Sequence, residues 1–87
     1  MIPVEMNSVQ GGLQMVYKFD NGYGASVIQH EGSYGSHKGR WELAVLCHGE
    51  LCYDTHITND VLGHLSWADV DEKLNEINCL HLTKSMV

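Results

Sequence analysis

From Leu13 the chain alternates. Leu13, Met15, Tyr17 and Phe19 share one parity while Gln14, Lys18 and Asp20 share the other, the period-two mark of a half-buried strand. Asn21-Gly22 follows at once and predicts a tight hairpin of type I′, whose two central residues need positive φ. The return strand runs from Tyr23 to about Glu31, with Tyr23, Ala25 and Val27 on one parity and Gly24 as a candidate bulge. Gly32 to Gly39 is a loop by composition. A third strand, Arg40 to His48, places Trp41, Leu43, Val45 and Cys47 on one parity but also carries Ala44 and Leu46 on the other, which predicts a central strand. Gly49-Glu50 reads as the next turn, leading into a short fourth strand from Leu51 to about Asp54.

After Thr55 the period changes. Thr58 to Gly63 reads as one helical turn, capped by Thr58 and stopped by Gly63. Ser66 with Asp69 three positions on is the Asp form of a capping box, and Val70, Leu74 and Ile77 then recur at helical steps. The predicted helix spans Ser66 to about Leu80, with Trp67 and Leu80 flanking its apolar stripe. The resulting fold class is α+β: a four-stranded antiparallel meander with a C-terminal helix packed on one face. Residues 1–12 and 83–87 read as tails around a single domain over residues 13–82.

Composition narrows the function classes. In 87 residues, 5 Lys plus Arg stand against 11 Asp plus Glu, a formal charge of −6. That balance argues against a surface that tracks nucleic-acid phosphates, so no direct nucleic-acid partner is expected. A hydrophobic fraction of 44% with one proline argues against disorder. No apolar run approaches the ~20 residues of a membrane span, and no signal-like apolar region follows Met1, so the expectation is a soluble intracellular product away from membranes. In that compartment Cys47, Cys52 and Cys79 are expected as thiols. If Gly49-Glu50 is the two-residue turn, Cys47 faces Cys52 across the hairpin, packed as two small apolar side chains.

Candidate chemistry is thin. Cys47, His48, Cys52 and His56 form the one cluster with metal-ligand character, and Cys47, Cys52 and His56 are its weak candidates. The C-x4-C spacing is wide for a zinc hook, and Cys47 and His48, adjacent on a strand, point to opposite faces. No metal and no cofactor is therefore expected. Cys/His nucleophilic catalysis lacks any local signature, so the chain reads as a non-enzyme. The Gly32 to Gly39 loop fails as a phosphate cradle, because Lys38 is followed by Gly39 and not by Ser or Thr. Its Tyr34 and His37, at a Gly/Ser-rich tip, are candidate partner-binding residues instead. Asp71, Glu72 and Glu76, on the solvent side of the predicted helix, complete that candidate surface.

The stretch Tyr17-Lys-Phe-Asp-Asn-Gly-Tyr-Gly-Ala-Ser-Val-Ile, with Trp41-Glu-Leu-Ala-Val-Leu, Leu51-Cys-Tyr-Asp-Thr and Ile57-Thr-Asn-Asp-Val-Leu-Gly, resembles a family of small uncharacterised proteins encoded by tailed bacteriophages and prophages. The resemblance covers about Val16 to Leu80. Members commonly carry a proline where this chain has His56, and often begin near Met15. The resemblance implies a phage origin and action in the cytoplasm of a host bacterium, and it implies no reaction. Together these readings predict a small acidic accessory protein that binds a host or phage protein, in host takeover or counter-defence. A homo-oligomeric or virion-associated piece, docking through the Leu51 to Asp54 edge, is the second reading, and a metal-assisted enzyme the third.

Overall fold

The computed structural model describes residues 1–9, 11–29, 40–52, 55, 57 and 61–80. Among the described residues, strands β1 (Glu5–Val9), β2 (Gly12–Lys18), β3 (Tyr23–Gln29), β4 (Trp41–Cys47), β5 (Glu50–Leu51) and β6 (Leu62–Leu65) precede a single helix, α1 (Trp67–Asn78). Every strand pairing is antiparallel, in the order β1-β2-β3-β4-β5, and β6 joins β4 on the edge that β5 also uses. The α+β class and the helix packed on one face of an antiparallel sheet hold as expected from the sequence. The strand count does not: the described residues form six strands where four were expected.

Both additions have a physical reason. Glu5–Val9, read from sequence as tail, pairs in register with β2, from Glu5 opposite Val16 to Val9 opposite Gly12. Its side chains are mostly exposed, so burial leaves little mark on the sequence. Leu62 and Gly63, expected to end a helical turn, belong instead to β6; residues 58–60 of that expected turn lie outside the described residues. Between the pairs Trp41–Leu65 and Leu43–Leu62 two β6 residues oppose one on β4, a bulge that holds His64 at φ 58°.

Two turns differ from expectation in detail. Phe19 pairs with Tyr23 through its N–H (2.8 Å), and its carbonyl accepts from the Gly22 N–H (3.1 Å). The connection is thus three residues, Asp20 to Gly22, with positive φ at Gly22 (89°) and not at Asn21. Gly24 makes no bulge; it pairs regularly with Lys18 and Leu46. A Cβ there would run into the Tyr17 backbone carbonyl. Between β4 and β5 the turn is His48-Gly49, both at positive φ (51° and 84°), in place of Gly49-Glu50. The slip of one residue sets Cys47 opposite Glu50, while the Cys52 N–H bonds the Val45 carbonyl (2.9 Å). Cys47 and Cys52 are therefore diagonal neighbours, beyond the reach of a disulfide, and all three cysteines are thiols.

The core lies on one face of the sheet. Met15, Tyr17, Ala25, Val27, Leu43 and Val45 close against Val70, Leu74 and Ile77 of the helix, with Cys52 beside them. Alternation puts every one of those sheet positions on the same side, and the steps of four and three put the helix residues on one stripe. The helix crosses β3, β4 and β6. Its far end is held by the β2–β3 turn: Asn21 Nδ2 lies 2.9, 3.2 and 2.8 Å from the carbonyls of Ile77, Asn78 and Leu80.

Candidate functional site

Helix α1 starts where the sequence says it should. Ser66 sits in extended backbone and its hydroxyl accepts from the Asp69 N–H (3.1 Å), while the Asp69 carboxylate accepts from the Ser66 N–H (3.0 Å). Each group satisfies a donor that helix geometry leaves without a partner. The Ser66 backbone and hydroxyl donors, with Arg40 and Lys73 farther off, hold the Asp69 carboxyl below the usual carboxylate range.

With Val70, Leu74 and Ile77 turned inward, the outward face of α1 is fixed by default. Asp69, Asp71 and Glu72 are exposed on it. Glu76 differs: it is half-buried and paired with Lys73 Nζ at 3.0 Å, so its charge is largely answered within the helix. The sequence contains that pairing as an i,i+3 spacing of opposite charges. Asp71 also reaches inward electrostatically. Burial pushes the Tyr17 phenol up, and the Asp71 carboxylate adds to the shift.

The aromatic element of this surface is Trp67. It was expected to flank the core, and 48% of it is exposed. Its ring meets Trp41 edge-on, with centroids 5.2 Å apart and planes at 62°, a favoured aromatic geometry. Trp41 is half-buried against the core, so it braces a partner ring that faces solvent. A helix-face reading of the sequence groups Trp67 with the apolar stripe; only the fold shows how much of it is left uncovered.

Tyr34 and His37 lie outside the described residues, as does His56. Of the other metal candidates, Cys52 is buried and Cys47 half-buried. Among the described residues no three His, Cys, Asp or Glu side chains come together in a metal-holding group. A concavity of about 320 Å³ opens at the end of the sheet between the two hairpin turns, lined by Lys18, Phe19, Tyr23, Leu46 and His48. The His48 N–H donates to the Gly22 carbonyl (2.9 Å), which stitches the two turns together. No helix among the described residues is long and apolar enough to cross a membrane. Neither a protein-family model, nor a curated protein, nor a solved structure matches the chain.

Proposed function

We propose that the protein is a small phage accessory protein that acts by binding another protein, in the cytoplasm of a host bacterium, during takeover or counter-defence. The observation that carries this reading is the Trp67 ring: 48% exposed and braced by Trp41, on the same helix as the exposed Asp69, Asp71 and Glu72 carboxylates. Binding energy at protein interfaces concentrates in a few aromatic and arginine anchors, and a tryptophan held in place loses little freedom on docking. The carboxylates favour a partner with a basic surface and speed its approach. Occlusion of that surface is the mechanism. Tyr34 and His37 belong to the same proposal as a second contact.

Affinity capture from the bacterial host, followed by titration of the purified partner, tests it. Trp67→Ala is expected to weaken binding by about 30-fold, the scale of a ~2 kcal/mol anchor. Asp71→Lys with Glu72→Lys should slow association and flatten its salt dependence, with folding unchanged by circular dichroism. Tyr34→Ala reports on the loop. Equal affinities for wild type and the helix-face variants would remove α1 from the account.

A further inference from the structure

The two edges of the sheet are unequal. On one side β4 is covered by β5, two residues long, and by β6, which is bulged and holds His64 at φ 58°. Short and irregular strands of this kind resist pairing with another chain. On the other side β1 presents five residues, Glu5–Val9, in unbroken register with β2 and, among the described residues, with no neighbour beyond it. It contains neither proline nor lysine, the usual means of blunting an edge. Around it lie Met1, Ile2, Val4 and Met6, four of the seven large apolar residues most exposed among those described. Ile2, Val4 and Met6 share a parity and are 89%, 54% and 62% exposed, because α1 lies over β3, β4 and β6 and does not extend across β1.

The geometry points to a second copy of this chain as the occupant of that edge, paired antiparallel, β1 to β1, about a two-fold axis through Asn7. The Val4 N–H donates to the Val16 carbonyl (2.7 Å), so Val16, and with it Gln14 and Gly12, direct their backbone groups toward β1. Their partners Glu5, Asn7 and Val9 are thereby engaged, and alternation turns the backbone groups of Met6 and Ser8 outward. Centring the axis on Asn7 overlaps the whole strand. Met6 of one copy then exchanges hydrogen bonds with Ser8 of the other, and Glu5 faces Val9. A register centred on Glu5 would instead oppose two carboxylates.

Charge distribution favours self-pairing at this edge. Glu5 is the one charged side chain between Met1 and Gly12 in a protein of net charge −6. The exposed acids Asp69, Asp71 and Glu72 ride on α1, over the opposite part of the sheet, so joining two copies at β1 keeps them apart. One short strand with Val4 and Met6 beside it falls below the ~1,200 Å² of a standard interface, so the dimer should dissociate on dilution.

Sedimentation velocity across a concentration series, on the full chain, tests the pairing. The expected mass rises from monomer to dimer with concentration. Ser8→Pro, which removes an outward N–H, and Met6→Lys, at an exposed edge position, should both stay monomeric with unchanged circular dichroism. In a Cys79→Ser background, Asn7→Cys should form an interchain disulfide on mild oxidation, because Asn7 faces its own copy as a close non-hydrogen-bonded pair. An Ala68→Cys control should cross-link far more slowly. Trp67→Ala should remain dimeric, which keeps this result separate from that for the helix face. A wild type that stays monomeric to millimolar concentration overturns the proposal, including the case of an edge kept for a foreign strand. So does a dimer that survives both edge variants, or cross-linking no faster than the control.

Discussion

Replacing Asn21 should cost more than any other single change at the surface turns. Its Nδ2 reaches the carbonyls of Ile77, Asn78 and Leu80, and its Oδ1 accepts from the Tyr23 N–H at 2.9 Å. The amide has two hydrogens, so the three carbonyls share two donors, and with Tyr23 about three bonds are lost in Asn21→Ala. At a net ~1 kcal/mol per bond, discounted for the exposed contact to Asn78, the cost is about 2–3 kcal/mol. A domain of this length holds roughly 4–13 kcal/mol in all, so the midpoint temperature should fall by roughly 8–24 °C. Asn21→Asp sharpens the test. Its carboxylate keeps the acceptor for Tyr23 but faces the carbonyls at the negative end of the helix dipole. Those carbonyls raise the folded-state pKa of the introduced acid above its unfolded value. The variant is therefore least perturbed when protonated, and it loses stability as pH rises from about 3 to 7. Urea unfolding followed by near-ultraviolet circular dichroism, with the m-value checked for constancy, measures both variants. A cost below about 0.5 kcal/mol for Asn21→Ala, or an Asn21→Asp variant as stable as wild type at neutral pH, would refute the clamp.

Gly24→Ala forces a methyl group into the Tyr17 carbonyl; it should destabilise by about 3 kcal/mol or more, seen as loss of cooperative unfolding. Ser66→Ala should cost about 1 kcal/mol by removing the N-cap acceptor. The depressed Asp69 pKa implies stability that is present above the unfolded carboxylate value and lost as pH falls through the folded one; Asp69→Asn should abolish that part of the acid profile. His48→Asn, which converts the β4–β5 turn to the Asn-Gly pair that type I′ geometry favours, should raise the urea midpoint.

What the sequence revealed follows burial and local chemistry. Strands β2 and β3 were legible because Met15, Tyr17, Ala25 and Val27 recur at a period of two, and β4 because Leu43 and Val45 do so in a run whose Ala44 and Leu46 are apolar and buried as well. The helix was legible because Ser66 and Asp69 cap it ahead of Val70, Leu74 and Ile77. Strand β1 left a trace in Ile2, Val4 and Met6, but an exposed edge exerts no pressure for regular alternation, and Ser8 breaks the series. Strand β6 is four residues with a glycine and a bulge, below what periodicity can register. The turn slip at His48 depends on a histidine taking a left-handed backbone, which composition does not announce. Of the candidate site, Asp71 and Glu72 are where the helical spacing put them. Glu76 is tied to Lys73, and the exposure of Trp67 depends on Trp41, a neighbour distant in sequence. The second role of Asn21 was hidden for the same reason: its partners lie more than fifty positions away.

The account rests on α1 turning Val70, Leu74 and Ile77 into the sheet, which leaves Asp71 and Glu72 exposed and Trp67 half-uncovered against Trp41. Nuclear Overhauser contacts in the methyl-labelled protein test this directly. The account predicts contacts from the Leu74 and Ile77 methyls to core side chains of β3 and β4, with Glu72 showing none to the sheet. Methyl contacts absent from Leu74 and Ile77, or a helix rotated so that Glu72 meets β3 or β4, would contradict it.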